Sequence, residues 1–242
     1  MTDEARAKRI KDLIDSHGIE TWYKHIRSNL RVDVPFMIAA VEKDGLALQH
    51  ADEDLKGKKQ VVLAAVKNNG LALVFATKRL QRDEEIVEAA VKNDGLALEF
   101  ATEILQRDDR IVEAAVENNG LALEFYKAET SPRSSKITEA AVKQNSLALK
   151  FATPRLKDNE AIVTAAIEEN GLALEFANDH MKKNKQLVKD AVRQDARAFQ
   201  FADDDLKESR GFFAAIVERN GKTMEYVTDD NNYLSNKQLV FI

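Results

Sequence analysis

At 242 residues, 44% apolar and 32% charged, the chain has enough apolar side chains for a core and enough charge to coat it. Its net charge of -5 argues against a sequence-independent nucleic-acid binder, which needs a basic footprint to displace counterions from phosphate. The absence of cysteine removes disulfides, thiolate metal sites and a cysteine nucleophile, and no apolar run is long enough to cross a bilayer.

The first residues, 2–11, alternate charged and small side chains and lack the apolar core of a signal peptide. The expected location is therefore intracellular and cytoplasmic, although a protein exported by a non-classical route would carry the same pattern. Residues 5–30 read as a degenerate repeat, with Gly18 at its centre, Tyr23 five residues later, and His17 and Trp22 as additions. A divergent end unit is what a repeat array needs, because its outer face has no neighbour to cover it. Residues 1–32 are therefore expected to form a capping unit.

A regular array follows over residues 33–235. Its central positions are Gly45, Gly70, Gly95, Gly120, Ser146, Gly171, Ala196 and Gly221, spaced by 25 residues with a single 26. Twelve residues before each centre stand Asp33, Lys58, Asp83, Asp108, Ser134, Asn159, Asn184 and Ser209. All but Lys58 can accept from the free N–H groups of a helix N-terminus, so a first helix is expected to begin there. Pro35 suits its first turn. Ile86, Val87, Ala90 and Val91 then form one apolar stripe of helical period, with Ala89 and Ala90 keeping it thin. Asn or Asp before the centre, as in Asn69-Gly70 and Asp94-Gly95, predicts a left-handed helix end. Leu96, Ala97, Leu98, Phe100, Ala101 and Leu105 predict a second α-helix antiparallel to the first. Each helix would run for about ten residues, roughly 15 Å. The fold class is all-α, an α-solenoid of about eight helix-turn-helix repeats.

Departures from the pattern are few. After Phe125 the fourth repeat has Tyr126 in place of a small alanine, then a turn one residue longer over residues 131–135. Either the array bends there or a loop projects. Residues 236–242 read as the start of a further helix or a C-terminal cap, which leaves open that the chain belongs to a longer array.

The phrase D-x-x-IVxAAVKxNGLALxFA, met at residues 83–101 with Asp94 in place of the Asn, resembles a tandem helical repeat family catalogued as domain of unknown function 4116. The resemblance covers residues 33–226 and implies a helical repeat with no assigned activity. A weaker similarity is to variant leucine-rich repeats, from which this chain departs by carrying glycine where they carry proline; that leaves the second helix free to be fully α-helical.

Candidate chemistry is sparse. Phe75, Phe100, Phe125, Phe151, Phe176, Phe201 and Tyr226, with His50 in the first unit, form an aromatic ladder best read as repeated core. His17, His25, His50 and His180 share no metal-ligand spacing, and Asp203 to Asp205 lack the glycine and glutamate of a calcium loop. No catalytic residue, cofactor or metal is expected. Four and eight residues after each centre, however, nine positions are acidic and two basic. On one α-helix such pairs repel by roughly 0.2–0.5 kcal/mol each, which hints at a functional rather than a structural reason. The partner-binding candidates are Glu99, Glu103, Glu124, Tyr126, Arg133, Lys150, Glu175 and Asp179. The expected activity is a non-enzymatic protein-protein interaction scaffold whose partly acidic face takes a protein or peptide with basic character. A helical-repeat nucleic-acid reader, marked by a basic or polar ladder at one register, is the alternative, as is the targeting module of a larger effector or enzyme. Oligomeric state is not specified by the sequence.

Overall fold

The computed structural model describes Asp12, residues 33–128 and residues 130–217; the expected capping unit and the 236–242 segment lie outside the described residues. The chain divides into two compact units, Met1–Ser131 and Pro132–Ile242, and the division falls within the irregular 126–135 stretch. The first contains α1 (Val34–Lys43), α2 (Lys59–Asn68), α3 (Glu84–Asn93) and α4 (Asp109–Asn118). The second contains α5 (Ser134–Gln144), α6 (Glu160–Glu169), α7 (Lys185–Gln194) and α8 (Arg210–Val217). Within each unit every long helix packs on the next, so repeats stack on their neighbours as in an α-solenoid.

The third repeat shows why. Asp83 accepts from the Ile86 N–H at 3.3 Å and starts α3. Ile86, Val87, Ala90 and Val91 are fully buried, as their spacing predicts. Asp108, Asn159 and Asn184 cap α4, α6 and α7 in the same way. Pro35 falls in the first turn of α1. Ser134 departs from the expected pattern. It lies inside α5 rather than ahead of it, with Arg133 at the cap position, and its hydroxyl is buried without a hydrogen-bond partner.

Two expectations are overturned. Asp94 is extended, with φ -143° and ψ 113°, not left-handed, and its carboxylate accepts from the Leu96 N–H at 2.9 Å. It therefore ends one helix and caps the next. That next helix is not α-helical: Gly95–Phe100 is a 3₁₀ helix, the tighter form with three residues per turn. Ala101 and Thr102 then run extended before a single α-turn at Glu103–Gln106. The six-residue 3₁₀ segment recurs at Gly45–His50, Gly70–Phe75, Gly120–Phe125, Ser146–Phe151, Gly171–Phe176 and Ala196–Phe201. The freedom that glycine was expected to give the second helix is not used for an α-helix.

The glycine has a packing reason instead. A Cβ added at Gly95 would lie 2.3 Å from the Ala115 carbonyl oxygen of the following repeat, and one at Gly70 would lie 2.4 Å from that of Ala90. The close approach lets Asn93 join two repeats. Its Oδ1 accepts from the Gly70 N–H at 2.7 Å, and its Nδ2 donates to the Lys67 carbonyl at 3.0 Å. Asn68 and Asn118 bridge their preceding repeats in the same manner. A backbone bond adds a second stitch on the far side, from the Thr102 N–H to the Gln81 carbonyl at 3.1 Å.

Candidate interaction surface

The 3₁₀ segments Gly45–His50, Gly70–Phe75, Gly95–Phe100 and Gly120–Phe125 pack side by side in the first unit, so equivalent residues form rows. Alanine and leucine of each segment, such as Ala97 and Leu98, are fully buried, which commits one side of the 3₁₀ helix to the core. The phenylalanines Phe75, Phe100 and Phe125 are only partly buried, at the rim of that core rather than its centre. One row on the outer side reads Gln49, Val74, Glu99, Glu124, all exposed. Val74, 41% exposed, stands on the segment packed against that of Glu99, and Ile104, 57% exposed, follows Glu103 in the next turn.

Glu99 and Glu124 thus lie one repeat apart on neighbouring segments, and neither has an ion-pair partner among the described residues. Glu103 opens the single α-turn and pairs with Arg107 at 2.5 Å. Because Ala101 and Thr102 separate Glu99 from Glu103, the two do not share a helix. The i, i+4 repulsion expected from the sequence is therefore absent, and the acidic row imposes no such cost on the fold. Tyr126 is buried and its hydroxyl donates to Asp109 Oδ1 at 2.6 Å, while the Ser131 hydroxyl donates to Asp109 Oδ2 at 2.5 Å. Burial, reinforced by the Asp109 carboxylate, pushes the Tyr126 phenol up to about 12. Tyr126 therefore ties the irregular stretch to the first turn of α4 instead of facing outward.

In the second unit Arg133, Lys150, Glu175 and Asp179 are exposed. The Lys150 ammonium lies 4.4 Å from the centroid of the Phe151 ring, a cation–π contact. His180 contacts Asp158 at 3.1 Å through Nδ1. No group of three His, Asp or Glu side chains fit to hold a metal occurs among the described residues. None of the described helices is long and apolar enough to cross a membrane.

One register escaped the sequence reading. Eleven residues after the centres stand Lys56, Gln81, Gln106, Ser131, Lys157, Lys182, Lys207 and Asn232. Gln81 is buried, and its amide donates to the Leu73 and Val74 carbonyls at 3.0 and 3.3 Å. Gln106 donates likewise to the Leu98 and Glu99 carbonyls, satisfying the Glu99 acceptor that the end of the 3₁₀ helix leaves open and adding a second bond to Leu98, which already accepts from the Ala101 N–H. A polar residue recurring at one step of every repeat was the available signal.

Stacked two-layer repeats, with α-helices on one side and 3₁₀ segments on the other, place the chain among α-solenoid repeat proteins. The model of the family described as Domain of unknown function (DUF4116) matches residues 33–81, 58–106, 83–129, 136–182, 159–207 and 184–231. The chain belongs to that family, whose description assigns no activity. The chain matches no curated protein and no solved structure.

Proposed function

We propose that the protein is a non-enzymatic interaction scaffold whose 3₁₀ face in the first unit takes a protein segment with basic and apolar side chains. The observation that carries this is the row of Glu99 and Glu124, exposed and unpaired, beside exposed Val74 and Ile104. Apolar contact surface rimmed by charge is the usual makeup of a binding patch. The charge distribution supports the same reading. Residues 33–131 hold 12 Lys or Arg against 19 Asp or Glu, a net of 12 - 19 = -7, whereas residues 132–217 hold 14 against 13, a net of +1. Most of the protein's acidity thus lies in the unit that carries the row. Stacked repeats present such a surface without ordering a loop on binding, which limits the entropy cost of association.

The test is affinity capture from source-cell lysate with wild-type protein and the E99K/E103K/E124K variant, identified by mass spectrometry. All three side chains are exposed, so helicity should be unchanged. Partners retained by the wild type and lost with the variant are the expected result. A variant that holds the same partners at the same salt concentration refutes the reading.

A further inference from the structure

We propose that Lys157 and Lys182, on adjacent repeats of the second unit, form a cationic pair that binds the carboxylates of an extended acidic protein segment. This reading is independent of the acidic face of the first unit and assigns the second unit a partner of opposite charge.

The placement follows from the repeat. Lys157 ends the single α-turn Pro154–Lys157, and its carbonyl accepts from the Asn178 N–H at 3.0 Å. Asn178 caps the next turn, Asp179–Lys182, so the two lysines occupy the same step of consecutive repeats. Lys207 continues the row one repeat on, since the Lys182 carbonyl accepts from the Asp203 N–H at 3.1 Å. In the first unit this register holds Lys56, paired with Glu53, then Gln81 and Gln106, whose amides serve backbone carbonyls. In the second unit it holds charge.

The charge at the first two rungs is not neutralised internally. Lys56 and Lys207 each pair with a carboxylate three residues earlier, Glu53 at 2.9 Å and Asp204 at 3.1 Å. Lys157 has Pro154 at that position, and Asp179, three before Lys182, is exposed and bonded to neither lysine. Neighbouring carboxylates are engaged elsewhere, Asp158 with His180 and Asp203 with Lys183. Lys157 and Lys182 are half-buried, and among the described residues neither ammonium has a hydrogen-bond or ion-pair partner. Burial, followed by the nearby charge of Lys182, lowers the pKa of Lys157, so an incoming anion would relieve a repulsion built into the fold.

The geometry favours an extended peptide. Neighbouring helices pack roughly 8–10 Å apart, and a strand rises about 3.3 Å per residue, so carboxylates at every third residue match the rungs. The second unit is close to neutral, without the broad basic footprint that nucleic acid demands.

Fluorescence anisotropy on the full chain tests this, with a labelled peptide carrying Glu at every third residue, a peptide of equal charge with its Glu clustered, and a labelled single-stranded oligouridine. K157Q/K182Q installs the side chain native to this register at Gln81 and Gln106, so it should fold, as circular dichroism will verify. K58Q/K67Q removes the same charge from exposed positions in the first unit. The spaced peptide should bind best. It should lose about tenfold in affinity with K157Q/K182Q and be unaffected by K58Q/K67Q or by the E99K/E124K substitution. No binding of the spaced peptide overturns the proposal, as does equal loss with K58Q/K67Q or equal affinity for the clustered peptide. Tighter binding of the oligonucleotide, abolished by K157Q/K182Q, overturns it in favour of a nucleic-acid surface.

Discussion

Replacing Asn93 with alanine should cost the protein about 1–3 kcal/mol, and the structure shows where that figure arises. The side chain makes two bonds across the repeat boundary, to the Gly70 N–H at 2.7 Å and the Lys67 carbonyl at 3.0 Å. Gly70 is buried, so its orphaned N–H forfeits about 1–3 kcal/mol of desolvation. The Lys67 side is exposed, and water can replace that bond at a loss of about 0.5 kcal/mol. Alanine returns roughly 0.5 kcal/mol through its better helix propensity at the last position of α3. In a chain of this size the net corresponds to a fall of about 2–12 °C in melting temperature. Thermal unfolding followed by circular dichroism measures the global effect. Because a repeat array can open locally, hydrogen exchange at the Gly70 amide is the sharper assay, and its protection should collapse while that of distant repeats persists. Asn93→Asp keeps the acceptor and loses the donor, so it should retain much of the Gly70 protection. An unchanged midpoint with Gly70 still protected in the alanine variant would refute the bridge.

Gly95→Ala and Gly211→Ala should act in opposite directions. The first drives a Cβ to 2.3 Å from the Ala115 carbonyl and should cost roughly 1–3 kcal/mol by overpacking. The second meets nothing within 4 Å in α8 and should gain about 0.5–1 kcal/mol; equal effects in urea unfolding would show the close approach to be immaterial. For Tyr126 the folded pKa lies above the unfolded value of 10, so its stabilising contribution is complete below pH 10 and disappears as the pH rises through about 12. Ultraviolet titration should show one of the four tyrosines ionising late. Tyr126→Phe should lower stability by about 1 kcal/mol at neutral pH and remove the alkaline loss, and a variant with the wild-type alkaline profile would exclude Tyr126 as its source.

The period and the first helix were legible because each rests on one dominant effect. Asp83 can satisfy a helix N-terminus, and Ile86, Val87, Ala90 and Val91 can bury one stripe, so spacing alone fixed them. The second half of the repeat was misread because Leu96, Ala97, Leu98, Phe100 and Ala101 form a stripe under either a 3.6- or a 3.0-residue period. The break falls seven residues after the centres, where Asp52, Thr77, Thr102, Thr153, Asn178 and Asp203 stand, each three residues ahead of a buried Leu or Met. Thr153, Asn178 and Asp203 cap the turn that follows with their side chains, whereas Asp52 and Thr102 make no capping bond and the buried Thr77 and Thr102 hydroxyls have no hydrogen-bond partner, so capping accounts for the break only in the second unit. The role of Asn93 was hidden for another reason: its partners belong to the preceding repeat, and a sequence shows bonds across a stack only as repetition. The acidic row was visible by position, but its energetic interpretation depended on a helix that is not there.

The Asn bridge also bears on how such a chain changes length. The second, third and fourth repeats each offer the repeat before them one amide that both gives and takes, through Asn68, Asn93 and Asn118, and the first three each offer the next one glycine N–H and one helix-end carbonyl. Duplicating or excising a whole repeat therefore leaves no donor or acceptor stranded, whereas a change of a few residues strands several at once. Whole-repeat gain and loss is the low-cost route for this architecture, and it alters the length of the 3₁₀ face in fixed steps without redesigning any contact.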